Sequence, residues 1–283
     1  MDFLRPSTWD EALAAKAEHP DAVPIAGGTD VMVELNFDRR RPAALLDLTR
    51  VAELDEWTAD GDALRIGAGV SYRRIIDELG RRLPGLAMAA RTVGSPQIRN
   101  RGTVGGNLGS ASPAGDAHPP LLAAGAEIEI ASRRGVRRVP AADFFTGPKR
   151  SVLAPDELIA GFRLAPAPGP QQFAKVGTRN AMVIAVCSFA LALDPARRTI
   201  GTGIGSAGPT PLRAPEAESL AAELPWDSRE PLPDAIVARF GTLVAAAARP
   251  IDDVRGSAAY RRHALSVLGA RTLRWAWEEL RCG

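Results

Sequence analysis

Gly102-Thr103-Val104-Gly105-Gly106-Asn107-Leu108-Gly109-Ser110-Ala111-Ser112-Pro113-Ala114-Gly115-Asp116 contains five glycines in fifteen positions, interspersed with hydroxyl side chains and ending in a carboxylate. Glycine permits positive φ angles and lets a ligand approach the main chain closely. Consecutive exposed amides form a concave nest that suits phosphate oxygens. The stretch therefore predicts a ligand-binding loop, although on its own a glycine-rich surface loop is the commoner explanation.

A second segment, residues 25–31, has the same chemistry. Its sequence, Ile25-Ala26-Gly27-Gly28-Thr29-Asp30-Val31, also combines paired glycines, a hydroxyl and a carboxylate. Two such segments could line a long ligand such as a dinucleotide from two sides. Neither has the glycine spacing of a Rossmann fingerprint or the Lys-Ser/Thr ending of a P-loop, so neither of those nucleotide-binding motifs is predicted.

These two segments resemble the FAD-binding medium subunit of the molybdenum hydroxylases, the xanthine dehydrogenase and carbon monoxide dehydrogenase family. The resemblance extends in chain order over almost the whole sequence, through residues 26–30, 103–107, 112–116, 144–147, 153–159, 173–179 and 255–262. It implies an α+β fold in which a two-part FAD-binding module, of the PCMH or vanillyl-alcohol-oxidase type, precedes a C-terminal α+β domain of the CO dehydrogenase flavoprotein type. We expect domains at residues 1–54, 55–166 and 170–283, and the proline-rich segment 165–170 independently indicates a boundary.

The resemblance also assigns the residues that would hold FAD. The amides of residues 25–31 would contact the pyrophosphate, Asp116 the ribityl or ribose hydroxyls, and Lys175 the flavin ring. The full set is Ile25, Ala26, Gly27, Gly28, Thr29, Asp30, Val31, Thr103, Gly105, Gly106, Asn107, Ser110, Asp116, Ile159 and Lys175. No residue is assigned as catalytic or as a metal ligand.

Structural explanations compete with several of these assignments. Asp30 could instead cap a helix, Ile159 could be a plain core residue, and Lys175 could lie on a solvated strand face. For Asp30 the paired segment and the resemblance favour the flavin interpretation. Arg179 could order the segment near the ring, and its role stays open. His118 has no partner in the sequence that would make it a general base, so a structural role is preferred.

The family resemblance implies partners and a direction of electron flow. Molybdopterin would lie on a large subunit and 2Fe-2S clusters on a small one, in a dimer of heterotrimers, and electrons would pass through FAD to NAD or another acceptor. A purine is the leading substrate by resemblance, with aldehydes, N-heterocycles and carbon monoxide as alternatives. Two other interpretations are a stand-alone flavin-dependent oxidase of a small molecule and a non-redox nucleotide-binding module.

Composition limits the remaining possibilities. The 283 residues carry a formal charge of only +2 without a basic stripe, so nucleic-acid binding is not predicted. Two cysteines, Cys187 and Cys282, are too few to ligate an iron–sulfur cluster. The longest apolar run, 181–193, is too short to span a bilayer. We expect a soluble, cytoplasmic protein without a membrane span.

Periodicity and capping signals predict the secondary structure. Strands are expected at 22–26, 45–48, 63–70, 126–130, 136–139, 172–176, 181–193 and 199–205. Helices are expected at 31–35, after the cap Ser71, and at 83–93, 119–124, 215–222, 234–247 and 260–280. In the last helix, the spacing predicts one buried face formed by Leu265, Leu268, Thr272 and Trp275.

Overall fold

The structure, a computed structural model, describes residues 1–228 and 230–282. Its strands are β1 (Asp2–Leu4), β2 (Val23–Ile25), β3 (Ala44–Asp47), β4 (Trp57–Asp60), β5 (Ala63–Gly67), β6 (Glu127–Ser132), β7 (Gly135–Pro140), β8 (Phe145–Gly147), β9 (Arg150–Ser151), β10 (Leu158–Leu164), β11 (Gln171–Val176), β12 (Cys187–Asp194) and β13 (Thr199–Gly205).

Its α-helices are α1 (Trp9–Glu18), α2 (Val31–Asn36), α3 (Tyr72–Glu78), α4 (Pro84–Thr92), α5 (Pro96–Arg101), α6 (Val104–Ser110), α7 (His118–Ala123), α8 (Ala141–Phe144), α9 (Pro215–Glu218), α10 (Asp234–Ala247) and α11 (Ala258–Cys282). Short 3₁₀ helices occur at Ala52–Leu54 and Ser219–Glu223.

Three sheets of three or more strands organise the described part of the chain, and β8 and β9 form a separate two-stranded sheet. The first is parallel, in the order β1-β3-β2, and the second is antiparallel, in the order β4-β5-β10-β6-β7. The third is the antiparallel sheet β11-β12-β13, covered by α10 and α11. The first two sheets and their helices share one apolar core, which includes Leu46, Ile66 and Phe162. The third sheet has a separate core with Phe189, Phe240 and Trp277.

Two glycines let the third sheet approach the rest of the molecule. A Cβ at Gly201 would lie 2.0 Å from the carbonyl oxygen of Ala123, and one at Gly203 would lie 2.0 Å from that of Pro119. Both carbonyls belong to α7, so any side chain at these positions would push β13 away from that helix. The alternating glycines of β13 therefore bring α7, and the residues just before it, close to the C-terminal sheet.

The structure confirms the α+β class and most of the predicted elements, including Ser71 as the N-cap of α3. Two predictions about the C-terminal half of the chain are wrong. The strand predicted at 181–193 begins only at Cys187, and residues 182–184 line a cleft instead. Trp275 is 48% exposed, whereas Trp277 is fully buried, because the buried face at this end of α11 is formed by Thr272, Leu273, Ala276 and Trp277.

Candidate functional site

A cleft of about 740 Å³ lies where the first two sheets meet. Most of the sequence-predicted site residues line it: Ala26, Gly27, Gly28, Thr29, Asp30, Val31, Thr103, Gly105, Gly106, Asn107, Ser110, Asp116 and Ile159. Ile25 and Lys175 do not. The Ile25 carbonyl instead accepts a hydrogen bond from the Leu48 amide, which fixes the end of β2.

The first glycine segment is the turn from β2 into α2. Gly28 has a φ of 75°, a conformation that glycine adopts without strain. Gly27 is required for a different reason, since a Cβ there would lie 1.8 Å from the carbonyl oxygen of Arg101. The two glycine-rich segments thus touch through their backbones. Asp30 occupies the position before α2, but its side chain makes no cap hydrogen bond, so the helix-cap explanation is wrong.

The second glycine segment is not the open loop that the sequence predicted. Residues 104–110 form α6, and the Thr103 hydroxyl caps it by accepting a hydrogen bond from the Gly106 amide at 2.8 Å. Gly105 packs against β5's end, where a Cβ would lie 2.4 Å from the Ala68 carbonyl oxygen. Gly106 has only the Thr103 hydroxyl near its missing Cβ and otherwise faces the cleft. Because its backbone is helical, Gly106 provides space rather than a positive φ.

Asp116 and Lys175 form a buried ion pair that joins the part of the chain built on the first two sheets to the C-terminal sheet. Lys175 Nζ donates to Asp116 Oδ2 at 2.6 Å and to the Thr92 carbonyl oxygen at 3.2 Å. Their side chains are only 6% and 11% exposed, so the solvated-strand explanation of Lys175 is wrong. Burial raises the pKa of the Asp116 carboxyl, while the Lys175 ammonium opposes that shift. Lys175 therefore acts on the cleft through Asp116.

His118 lies behind α6 and is fully buried. Its Nε2 lies 3.1 Å from the Asn107 carbonyl oxygen, and its ring contacts Phe145 with centroids 4.5 Å apart. Burial lowers the pKa of His118 to about 4, so the imidazole is neutral at physiological pH. These contacts support the structural role predicted for His118, which holds the end of α6 against α7.

Ile159 and Arg179 affect the apolar part of the cleft. Ile159 is 8% exposed and has its Cδ1 3.8 Å from where a Cβ of Gly109 would lie, on an apolar part of the wall. Arg179 donates to the Met182 carbonyl oxygen and so shapes the segment that carries Met182, Val183 and Ile184 into the cleft. Sequence reasoning missed that segment because its apolar run was assigned to a strand.

The walls combine chemistries that suit a long, segmented ligand. The backbone amides of the glycine turn suit an anionic group. The hydroxyl and carboxylate side chains of the lining suit a polyol. Ile159 and Ile184 suit a flat apolar ring. Two residues of the lining, Tyr72 and Asp116, have buried polar atoms, Oη and Oδ1, that find no hydrogen-bond partner among the described residues. A flavin dinucleotide fits this set of donors, acceptors and apolar contacts.

Comparison with known proteins decides the family. The model for the FAD binding domain in molybdopterin dehydrogenase matches residues 1–167, and that for the CO dehydrogenase flavoprotein C-terminal domain matches residues 172–276. The chain belongs to the FAD-binding subunits of the molybdopterin dehydrogenases. It is therefore an oxidoreductase component with FAD as its cofactor.

Individual relatives agree with this family assignment. The xanthine dehydrogenase FAD-binding subunit of Escherichia coli O157:H7 is 36% identical over 233 residues, covering 79% of this chain and 80% of the relative. The caffeine dehydrogenase subunit beta of Pseudomonas sp. strain CBB1 is 35% identical over 75% of each chain. A chain of carbon monoxide dehydrogenase from Hydrogenophaga pseudoflava superimposes with a TM-score of 0.91 at 27% identity, covering 99% of this chain and 98% of that one.

The described parts of this FAD-binding subunit contain neither a metal-binding cluster nor a membrane-spanning helix. Within residues 1–228 and 230–282, no group of three or more His, Cys, Asp or Glu side chains could hold a metal ion. Over the same ranges, no helix has both the length and the apolar character needed to cross a membrane.

Proposed function

We propose that this chain is the subunit through which a xanthine dehydrogenase-like molybdenum hydroxylase delivers its electrons to NAD or another acceptor. In this proposal a large partner carries molybdopterin and a small partner carries 2Fe-2S clusters, arranged as a dimer of heterotrimers in the cytoplasm. The observation that carries the proposal is the cleft between the two glycine-rich segments, in a chain whose two parts both match this family.

In this proposal each wall of the cleft would contact a different part of FAD. The turn at Gly27 and Gly28 would hold the pyrophosphate through its amides, and the open side of Gly106 would leave room for it. Asp116 would bind a polyol hydroxyl, and Ile159 would contact the ring system. When bound, FAD would supply the ability to take up electrons singly and to give them up as a hydride. The chain itself supplies placement, exclusion of water and a local field.

The ionisable groups around the cleft also favour electron delivery over oxidation of a substrate in the same site. Glu34 is paired with Lys149 at 2.5 Å, Glu157 with Arg137 at 2.7 Å, and Asp116 with Lys175. His118 is turned away into the core. A stand-alone oxidase needs a base positioned to take a substrate proton. These pairings occupy three of the four carboxylates that line the cleft and leave Asp30 without an ion pair among the described residues, so they disfavour that alternative only to this extent.

Purification under native conditions tests the proposal. The chain should co-elute with molybdenum and iron in one complex, and NADH added without oxygen should bleach the visible absorption of its flavin. Co-elution without bleaching by NADH would retain the subunit role but contradict NAD as the acceptor. A flavoprotein that elutes alone and turns over a small substrate would be the oxidase instead.

A further inference from the structure

Tyr72 is an unexplained polar residue in the wall of the cleft. It is the first residue of α3, only 3% exposed, and its amide donates to the Gly102 carbonyl oxygen at 2.9 Å. This bond places the ring beside the start of the second glycine segment, where its Cδ2 lies 3.4 Å from the position of a Cβ on Gly102. Its hydroxyl is buried and has no hydrogen-bond partner within the described chain. Buried tyrosine hydroxyls normally have one.

A second buried atom without a hydrogen-bond partner in the described residues belongs to Asp116, whose charge acts on the Tyr72 hydroxyl. Lys175 Nζ donates a hydrogen bond to Oδ2 of Asp116, but Oδ1 is buried without a partner in the described part of the structure. Both Tyr72 and Asp116 line the cleft. Burial, and then the negative charges of Asp116 and Asp30, hold the pKa of Tyr72 well above its ordinary value, so its hydroxyl stays protonated and can donate. The wall therefore presents one donor and one acceptor that both lack a partner.

We propose that Tyr72 Oη and Asp116 Oδ1 bind a hydroxyl of a polyol chain, which, if the proposed function holds, is the ribityl chain of FAD. A hydroxyl donates and accepts at once, so it can satisfy the carboxylate oxygen and the phenol together. A phosphate oxygen would satisfy only the phenol and would face the carboxylate with a like charge. The Tyr72 hydroxyl is thus a binding group for the sugar-alcohol part of the cofactor.

Tyr72→Phe removes this hydroxyl and leaves the ring in place. The chain contains two tyrosines, and the other, Tyr260, is 49% exposed on α11 and does not line the cleft, so Tyr260→Phe is the matched control. The full chain, freed of flavin, would be titrated with FAD while protein fluorescence is recorded. The dissociation constant should rise about tenfold in Tyr72→Phe and stay unchanged in Tyr260→Phe.

The thermal melt of the flavin-free chain separates a binding role from a structural one. Because Tyr72→Phe removes a buried hydroxyl without a partner, its melting temperature should equal or exceed that of the wild type. A lower melting temperature without flavin, together with unchanged FAD affinity, would show that the hydroxyl serves the fold and would overturn the proposal.

FAD analogues that each lack one ribityl hydroxyl identify the group that is bound. The wild-type chain should bind one of these analogues about tenfold more weakly than FAD, and Tyr72→Phe should bind that analogue and FAD equally well. If Tyr72→Phe keeps the wild-type preference for FAD over every analogue, the polyol assignment is wrong. A wild-type chain that binds no FAD would contradict the proposed function itself. A wild-type chain that binds FAD no more tightly than Tyr72→Phe does would contradict only the role proposed here for Tyr72.

Discussion

At the scale of single residues, Lys175 compensates the charge of Asp116, one of the carboxylates that line the cleft. Both groups are desolvated, so each depends on the other for compensation. The pair also joins residues that are 59 positions apart in sequence, one beside the cleft and one on β11. We infer that it fixes the carboxylate in place as much as it sets the local field.

Lys175→Met should lower the free energy of unfolding by about 3 kcal/mol, because it leaves the Asp116 carboxylate buried without a counter-charge. Lys149→Met is the matched control. Its ammonium pairs with Glu34 but is 65% exposed, so its loss should cost less than about 1 kcal/mol. Urea unfolding of both variants measures the difference. The double variant Lys175→Met/Asp116→Asn should recover much of the loss, and equal costs for the two lysines would contradict the account.

At the scale of elements, the two glycine-rich segments position each other. The backbone of residue 27 contacts that of Arg101 so closely that no side chain fits, while α6 presents Gly106 to open space. Glycine therefore has two separate uses here. In one segment it allows the elements to meet, and in the other it leaves volume for a ligand.

Gly27→Ala and Gly106→Val should have different effects on stability and on FAD binding. The first forces the two segments apart and should reduce both the melting temperature and FAD binding, since a buried backbone clash cannot relax cheaply. The second should lose FAD binding with little change in the melt of the flavin-free chain. Circular-dichroism melts and bound-flavin content distinguish them. Normal flavin content in Gly106→Val would contradict the assignment of α6 to the site.

The contact between α6 and α7 depends on a neutral His118. Its pKa falls from 6.5 to about 4 on folding, so between these values the unfolded chain binds more protons and stability rises with pH. Acidification from above about pH 6.5 to below about pH 4 should cost about 3 kcal/mol from this group. Carbon-13 NMR of labelled histidine gives the direct test, with exposed His19 and His263 as separate signals. A His118 midpoint of about 6.5 would contradict it.

Both glycine segments that the sequence singled out line the cleft, because their chemistry is local, but the sequence did not predict that residues 104–110 form α6. Paired glycines at 27–28 and 105–106 signal close approach wherever they occur, and the family resemblance connected them. The sequence could not predict that Lys175 pairs with Asp116 or that Tyr72 lines the cleft, because both contacts depend on how separate elements pack. The same holds for residues 182–184, whose apolar pattern is shared by a buried strand and by a cleft wall.

At the scale of the whole molecule, the C-terminal sheet contributes to the cleft from outside the FAD-binding module. Gly201 and Gly203 let β13 contact α7, and β11 delivers Lys175 to Asp116. Gln171 adds a further link, since its side-chain oxygen accepts a hydrogen bond from the buried Gly85 amide at 3.1 Å. Both parts of the chain that the family models match therefore contribute residues in or next to the cleft lining.

The most direct test of this account is the flavin content of the purified chain before and after acid precipitation. Neither glycine-rich segment contains a histidine or cysteine that could form a covalent link to flavin. The account predicts that the chain carries an equimolar amount of FAD and that acid releases all of it to the supernatant. A chain that neither contains FAD nor takes it up, or a yellow colour that stays with the precipitate, would contradict it.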